Sequence, residues 1–174
     1  QVINNRILLN SHLRMNYDTT VKSYIKKILI KQNVGLECFK ILREDISTNQ
    51  VSNIKFSRAS NCWVSGIESD KCNFAHIDAE YSSNLSISKS YFHDAHNYGG
   101  GGKGYGVVCQ FATGECLIRD NNFNHLRHAM LLQSGANGNV YSYNYSQDPY
   151  WTDVALPANS AGDMVLHGNY VYAN

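Results

Sequence analysis

Five short segments of this chain can be laid over one another by their apolar and polar positions: Asn53-Ile54-Lys55-Phe56, His76-Ile77-Asp78-Ala79, Val107-Val108-Cys109-Gln110, Ala129-Met130-Leu131-Leu132 and Asp163-Met164-Val165-Leu166. Each reads as one short strand. Ten residues after the second position of the first four stands another branched apolar residue, Val64, Ile87, Ile118 and Val140. Five further on, the last three of these carry an aromatic ring: Phe92, Phe123 and Tyr145. The units themselves follow at 23, 31, 22 and 34 residues, so the inner offsets persist while the spacing changes. A base of about 22 residues holding two or three strands is one coil of a parallel β-solenoid, whose rungs stack at about 4.8 Å. Four to six coils are expected. An antiparallel sandwich of the same strands is the competing architecture, and it leaves the fixed offsets unexplained.

The excess of the two long units falls after the aromatic position and before the next first strand. One insertion contains the glycine-rich run HNYGGGGKGYGV, residues 96–107, and the other lies within residues 146–163. Insertions at one turn of a solenoid collect on one edge, which is often the binding edge. The column Asn61, Asn84, Glu115 and Asn137 fits the turns, where stacked amides can hydrogen-bond along the axis. Lys103 is followed by glycine, so the run lacks the ending of a phosphate-binding loop.

Residues 1–32 read as a leading segment, with apolar Val21, Ile25 and Ile28 placed for either a strand or a short helix. Residues 33–174 read as the β-helix domain, expected to continue beyond Asn174 in a longer parent. Bare strand edges there would invite end-to-end self-association. Two prolines, 12 tyrosines and abundant Asn, Ser and Gly favour strands and tight turns. A net charge of +1 gives no reason to expect nucleic acid as partner, and no run approaches the roughly 20 apolar residues of a membrane span. Of the five cysteines, Cys62 and Cys116 share a column two coils apart, about 10 Å, beyond disulfide reach near 7 Å. Buried free thiols are expected.

With Ile54, Ile77, Val108, Met130 and Met164 inward, strand alternation turns Lys55, Asp78, Cys109, Leu131 and Val165 outward, then Ser57, Glu80, Phe111, Gln133 and His167. The opposite phase would bury Lys55 and Asp78 unpaired. At the looped edge the shifts stack Asp94 over His125 and Gln147, and His96 over Arg127 and Pro149, with His93, Lys103 and His128 nearby. Tyr150 and Trp151 offer a sugar an apolar face or form a packed lid. Asp78 and Glu80, two residues apart on one strand face, span about 6.8 Å, near the separation of an inverting carboxylate pair.

The segments NCWVSGIESDKCNFAHID, GECLIRDNNFNHLRHAMLLQSGANGNVYSYNY and SAGDMVLHGNY resemble the right-handed parallel β-helix proteins of the pectin lyase-like superfamily, secreted by polysaccharide-degrading bacteria, over residues 33–174. The resemblance implies an all-β, right-handed parallel β-helix acting outside the cell or at its surface on acidic polysaccharide. It implies lyase chemistry, in which calcium or an arginine neutralises the sugar carboxylate and an Arg or Lys removes the C5 proton. Arg127 and then Lys103 are the candidates for carboxylate contact or base, with His96 and His128 beside them. Asp78, Glu80 and Asp94 are candidate calcium ligands or acids. Gln133, His167, Glu80, Tyr150 and Trp151 are candidate substrate contacts. The Lys and Arg dyad of the family's lyases and the aspartate-rich motifs of its galacturonases have no counterpart here. Three functions therefore stay open: a lyase or hydrolase, a glycan-binding or adhesion module that does not cleave, and a structural stalk.

Overall fold

In the computed structural model the chain is all-β, with parallel strands in stacked sheets. It describes residues 2–3, 6–9, 12–13, 16–98, 102–150, 164–167 and 170–173, with residues 2–3, 19, 164–167 and 170–173 by backbone alone. Strands Ile54–Ser57, Ala75–Glu80, Tyr105–Gln110 and His128–Leu132 stack as a first sheet. Gly35–Glu37, Trp63–Ser65, Ser86–Ser88, Leu117–Arg119 and Val140–Ser142 form a second. Lys40–Leu42, Glu68–Asp70, Tyr91–His93, Asn122–Asn124 and Tyr145–Gln147 form a third. The chain visits the three sheets in order and returns one rung along, an arrangement compatible with a β-helix solenoid. Among the described residues no helix is long and apolar enough to cross a membrane.

Left-handed residues make the corners. Between the first and second sheets they stand at two places in each rung, first at Arg58, Tyr81, Phe111-Ala112 and Ser134-Gly135, then at Asn61, Asn84, Glu115 and Gly138, the latter at φ of 54°, 54°, 59° and 69°; Asn33, at 59°, is the equivalent before Gly35–Glu37. Between the second and third they are Cys38, Gly66, Lys89, Asp120 and Tyr143, and after the third Lys71, Asp94, His125 and Asp148. A left-handed L-residue costs about 1–2 kcal/mol, less for Asn, whose short side chain is well tolerated there. The cost is offset because the corner N–H donates to the next rung: Asn61 to the Ser83 carbonyl at 3.3 Å, Asn84 to Gly114 at 3.2 Å, Lys71 to His93 at 3.0 Å. The expected amide ladder exists, but beside this column rather than in it. Asn121 lies just after its corner residue, fully buried, accepting from the Ser90 N–H at 3.1 Å and donating to Asn144 Oδ1 at 3.0 Å.

Inside, Val64, Ile87 and Ile118 stack in one column, and Ile54, Ile77 and Val107 in another. Phe92 and Phe123, both fully buried, stack with ring centroids 5.4 Å apart. Each such side chain contributes about 1.5–3 kcal/mol by leaving water. Gly106 sits where a Cβ would land on the Ala129 carbonyl of the next rung, so only glycine allows that close approach.

The register departs from the spacing expected of the sequence. Ile77 pairs with Val107, not Val108, and Ile118 and Phe123 pair with Tyr141 and Ser146, not Val140 and Tyr145. The physical cause is one extra corner residue: two consecutive left-handed residues, Phe111 with Ala112 and Ser134 with Gly135, lengthen the turn in these two rungs. Val108 and Gln110 therefore take the outward positions assigned to Cys109 and Phe111, and Cys109 is fully buried inside. Met164–His167 is not a further parallel rung either. It pairs antiparallel with Tyr170–Ala173, which itself lies antiparallel on His128–Leu132. His167 is thus not in the column of Glu80 and Gln133.

The leading segment holds a short antiparallel pair, Val2–Ile3 with Arg6–Ile7, and a 3-10 turn at Thr19–Val21; residues 23–30 are neither strand nor helix. Parallel pairing already begins at Lys31–Gln32, on Ala59–Ser60. The cysteines are all free and mostly buried, as expected, with Cys38 exposed. Because the corners need φ near 54° at Asn84, Asn84→Val is expected to lower stability in urea unfolding by about 1–2 kcal/mol, while Asn84→Gly changes it by a few tenths.

Candidate functional site

Loops do gather at the corner after the third sheet. Residues 43–53 and 94–98 both leave there, and they touch: His96 Nε2–H donates to the Arg43 carbonyl at 2.8 Å. The first of these loops was not visible as an insertion in the repeat, because the opening rung carries none of the aligned first-strand pattern.

The residues expected to do chemistry at this edge are mostly enclosed. Arg127 and His128 are only 3 % and 1 % exposed. The Arg127 guanidinium lies 5.9 Å from the Tyr105 ring centre, its Nη1 3.4 Å from the Tyr105 hydroxyl, and the His128 ring 5.2 Å from the same ring. Phe74, Ala75, Val108 and Leu131 complete this buried outer patch with Tyr105. Lys103 is half-buried in the glycine loop. Tyr150 stacks on Tyr98 at 4.4 Å, and His125, edge-on to both rings, pairs with Asp148 at 2.9 Å. Burial pushes the Tyr98 hydroxyl up to about 12. Trp151 and the His167 side chain lie outside the described residues.

On the outer face of the first sheet one polar chain runs across four rungs. Gln133 donates to Gln110 at 2.5 Å, and Gln110 Nε2 donates to Asp78 at 2.8 Å and Glu80 at 3.3 Å. Lys55 Nζ closes it from the other side, 3.3 Å from Asp78 and 2.8 Å from Glu80. Burial, opposed by the Gln110 and Lys55 contacts, holds the Asp78 carboxyl above its ordinary value. Two carboxylates sharing one ammonium and one amide nitrogen stand closer than the roughly 6.5–9.5 Å of an inverting pair. Asp94 is not with them. It accepts from His93 at the third-sheet corner, so the three expected calcium ligands are not brought together.

The outer face of the third sheet was missed. Its two outward columns read Lys40, Glu68, Tyr91, Asn122, Tyr145 and Leu42, Asp70, His93, Asn124, Gln147. Tyr91, Asn122, Tyr145 and Gln147 line an open groove of about 270 Å³. Tyr145 is 60 % exposed, and Asn124 reaches back to the Tyr91 hydroxyl at 3.4 Å. At the other end Glu68, Asp70 and His93 bring ligand atoms within 4.8 Å of one another. The hydrogen bond from Lys40 holds the Glu68 carboxyl below its ordinary value and lifts the Lys40 ammonium above its own. Alternation about Phe92 and Phe123 was the available signal for these columns; a one-residue error in the last rung turned Tyr145 inward and hid them.

Beneath the looped corner sits a fully buried histidine. Ser69 Oγ lies 2.8 Å from His76 Nδ1, and His76 Nε2–H donates to the Asp94 carbonyl at 3.1 Å. Since a carbonyl only accepts, the ring carries its proton on Nε2 and takes the serine proton at Nδ1. Burial depresses its pKa to about 3. The unfolded chain takes up a proton below about 6.5 that the fold refuses, so stability falls as pH drops from there towards 3. Urea unfolding at pH 7 and pH 5 should show a loss about 2 kcal/mol larger for the wild type than for His76→Gln.

No protein-family model, curated protein or solved structure matches the chain.

Proposed function

We propose that this chain is a carbohydrate-active domain of the right-handed, pectin lyase-like β-helix type, with a coil of about 22 residues, acting outside the cell, and that it grips polysaccharide along the outer face of its third sheet. The observation that carries this is the register of Tyr91, Asn122 and Tyr145 on an exposed face. Two tyrosines two rungs apart stand about 10 Å from each other, roughly a disaccharide, with amides of Asn122, Asn124 and Gln147 between and beside them. Aromatic faces give sugar rings apolar stacking, and amides both donate to and accept from sugar hydroxyls. Right-handedness is supported by the strong preference of parallel crossovers for that hand.

A binding role is favoured over a lyase role because Arg127, the first candidate for the base, is enclosed with His128 in a closed patch, and Lys103, the second, is half-buried. One observation keeps hydrolysis as a second reading: Asp78, its carboxyl raised by burial, stands beside Glu80, an arrangement that separates an acid from a carboxylate.

Affinity electrophoresis through gels containing acidic or neutral polysaccharides tests the first reading. The wild type should be retarded by at least one polymer, and Tyr145→Ala should weaken that retention about tenfold or more, the loss of one stacking contact. Retention by none, or retention indifferent to Tyr145, contradicts it. Product release abolished by Asp78→Asn would establish the second reading.

A further inference from the structure

We infer that Glu68, Asp70 and His93 form a binding site for a divalent transition-metal ion, with Asp94 orienting the histidine and Lys40 acting as a resident competing cation. The inference does not rest on the glycan reading. Glu68 and Asp70 are alternate residues of one strand, so both side chains leave the same face, and His93 comes from the next rung in register with Asp70. His93 Nε2 lies 3.2 Å from Glu68 Oε1. Two ligands bound at about 2.0–2.1 Å on a tetrahedral ion stand about 3.3 Å apart, so this pair is already at coordination spacing. Asp70, whose Oδ1 lies 3.8 Å from His93 Nδ1, joins on the Nε2 side by turning its side chain.

The other ring nitrogen carries the arrangement expected behind a metal-bound histidine. Both ring nitrogens face carboxylate oxygens, which only accept: Nδ1–H donates to Asp94 Oδ2 at 2.9 Å and Nε2–H to Glu68 Oε1, so an incoming ion would displace the Nε2 proton while Asp94 keeps the one on Nδ1. Tyr91, stacked on His93 at 4.4 Å, holds the ring plane. A cation is already drawn to the spot: Lys40 Nζ sits 2.7 Å from Glu68 and 3.3 Å from Asp70. That ammonium is half exposed on a flexible stem, so it can swing into water when an ion with stronger ligand bonds arrives. One imidazole with two carboxylates suits zinc, cobalt or manganese rather than calcium, which takes oxygens alone. Three protein ligands leave at least one position for water or an exogenous oxygen.

The test is calorimetric titration with zinc chloride of the whole chain and of four variants, with folding verified by circular dichroism. One saturable site reversed by chelator is expected. His93→Gln and Glu68→Gln should each weaken it at least tenfold, and Asp94→Asn by 10–100-fold. Lys40→Met should tighten it severalfold to tenfold, a gain that misfolding cannot produce. No saturable binding in either the wild type or Lys40→Met overturns the inference. Binding indifferent to His93→Gln does the same, since the ion would then sit elsewhere.

Discussion

The backbone hydrogen bond between a corner residue and the rung above it governs this structure. A left-handed residue is a poor choice on its own, yet nearly every turn is built on one, because that conformation both bends the chain and aims its N–H along the stacking axis. Asn61 and Asn84 are corner residues for that backbone reason. Once the corners are fixed, each strand pairs with its counterpart and every side chain is committed to a column. Inside, the columns fill with Ile, Val and Phe; Ser90, Asn121 and Asn144 satisfy the buried backbone where the corner closes.

Outside, the same repeat sets a harder problem, because like side chains would meet every 4.8 Å or so. The chain answers with complementary neighbours. On the first face Lys55 meets Asp78 and Glu80, which in turn meet Gln110 and Gln133. On the third face Lys40 meets Glu68 and Asp70, after which the columns turn to Tyr91, Asn122 and Tyr145. The first face is a closed circuit of charges and amides, whereas the third leaves rings and amides turned to solvent. That contrast is why the glycan reading is placed on the third.

Much of the architecture was legible because hydrophobic columns must recur. Ile54, Ile77, Ile87, Ile118, Phe92 and Phe123 fall where the spacing puts them, and the outward Leu131 and Gln133 do too. What failed did so at corners. Two adjacent valines, Val107 and Val108, serve equally well inside or out, so a single added turn residue at Ala112 shifted the phase unseen. That residue replaced Gln110 by Phe111 in the outward column, and a second added turn residue, at Ser134-Gly135, turned Tyr145 inward in the last rung. The chemistry at Arg127 and His128 was misplaced for a different reason: Tyr105 and Val108 of the preceding rung join Leu131 of their own in a buried outer patch, and periodicity carries no information about what packs over a sheet. Lys40, Glu68 and Asp70 lie on strands whose inward residues, Ile41 and Ser69, lack the aromatic marker that made the later rungs visible.

The glycan-binding reading of the third face depends on the register of the last rung, which turns Tyr145 outward. Solution NMR on protein with labelled isoleucine, valine and aromatic residues reads that register directly. The account requires a nuclear Overhauser contact from the Ile118 methyl groups to the ring of Tyr141, which pairs with it and sends its hydroxyl into the core beside Cys109 at 3.3 Å. It equally requires the Tyr145 ring to be free of Phe123. Contacts from Ile118 to the Val140 methyls together with Phe123 to Tyr145 would contradict it, returning Tyr145 to the interior and removing the proposed binding face.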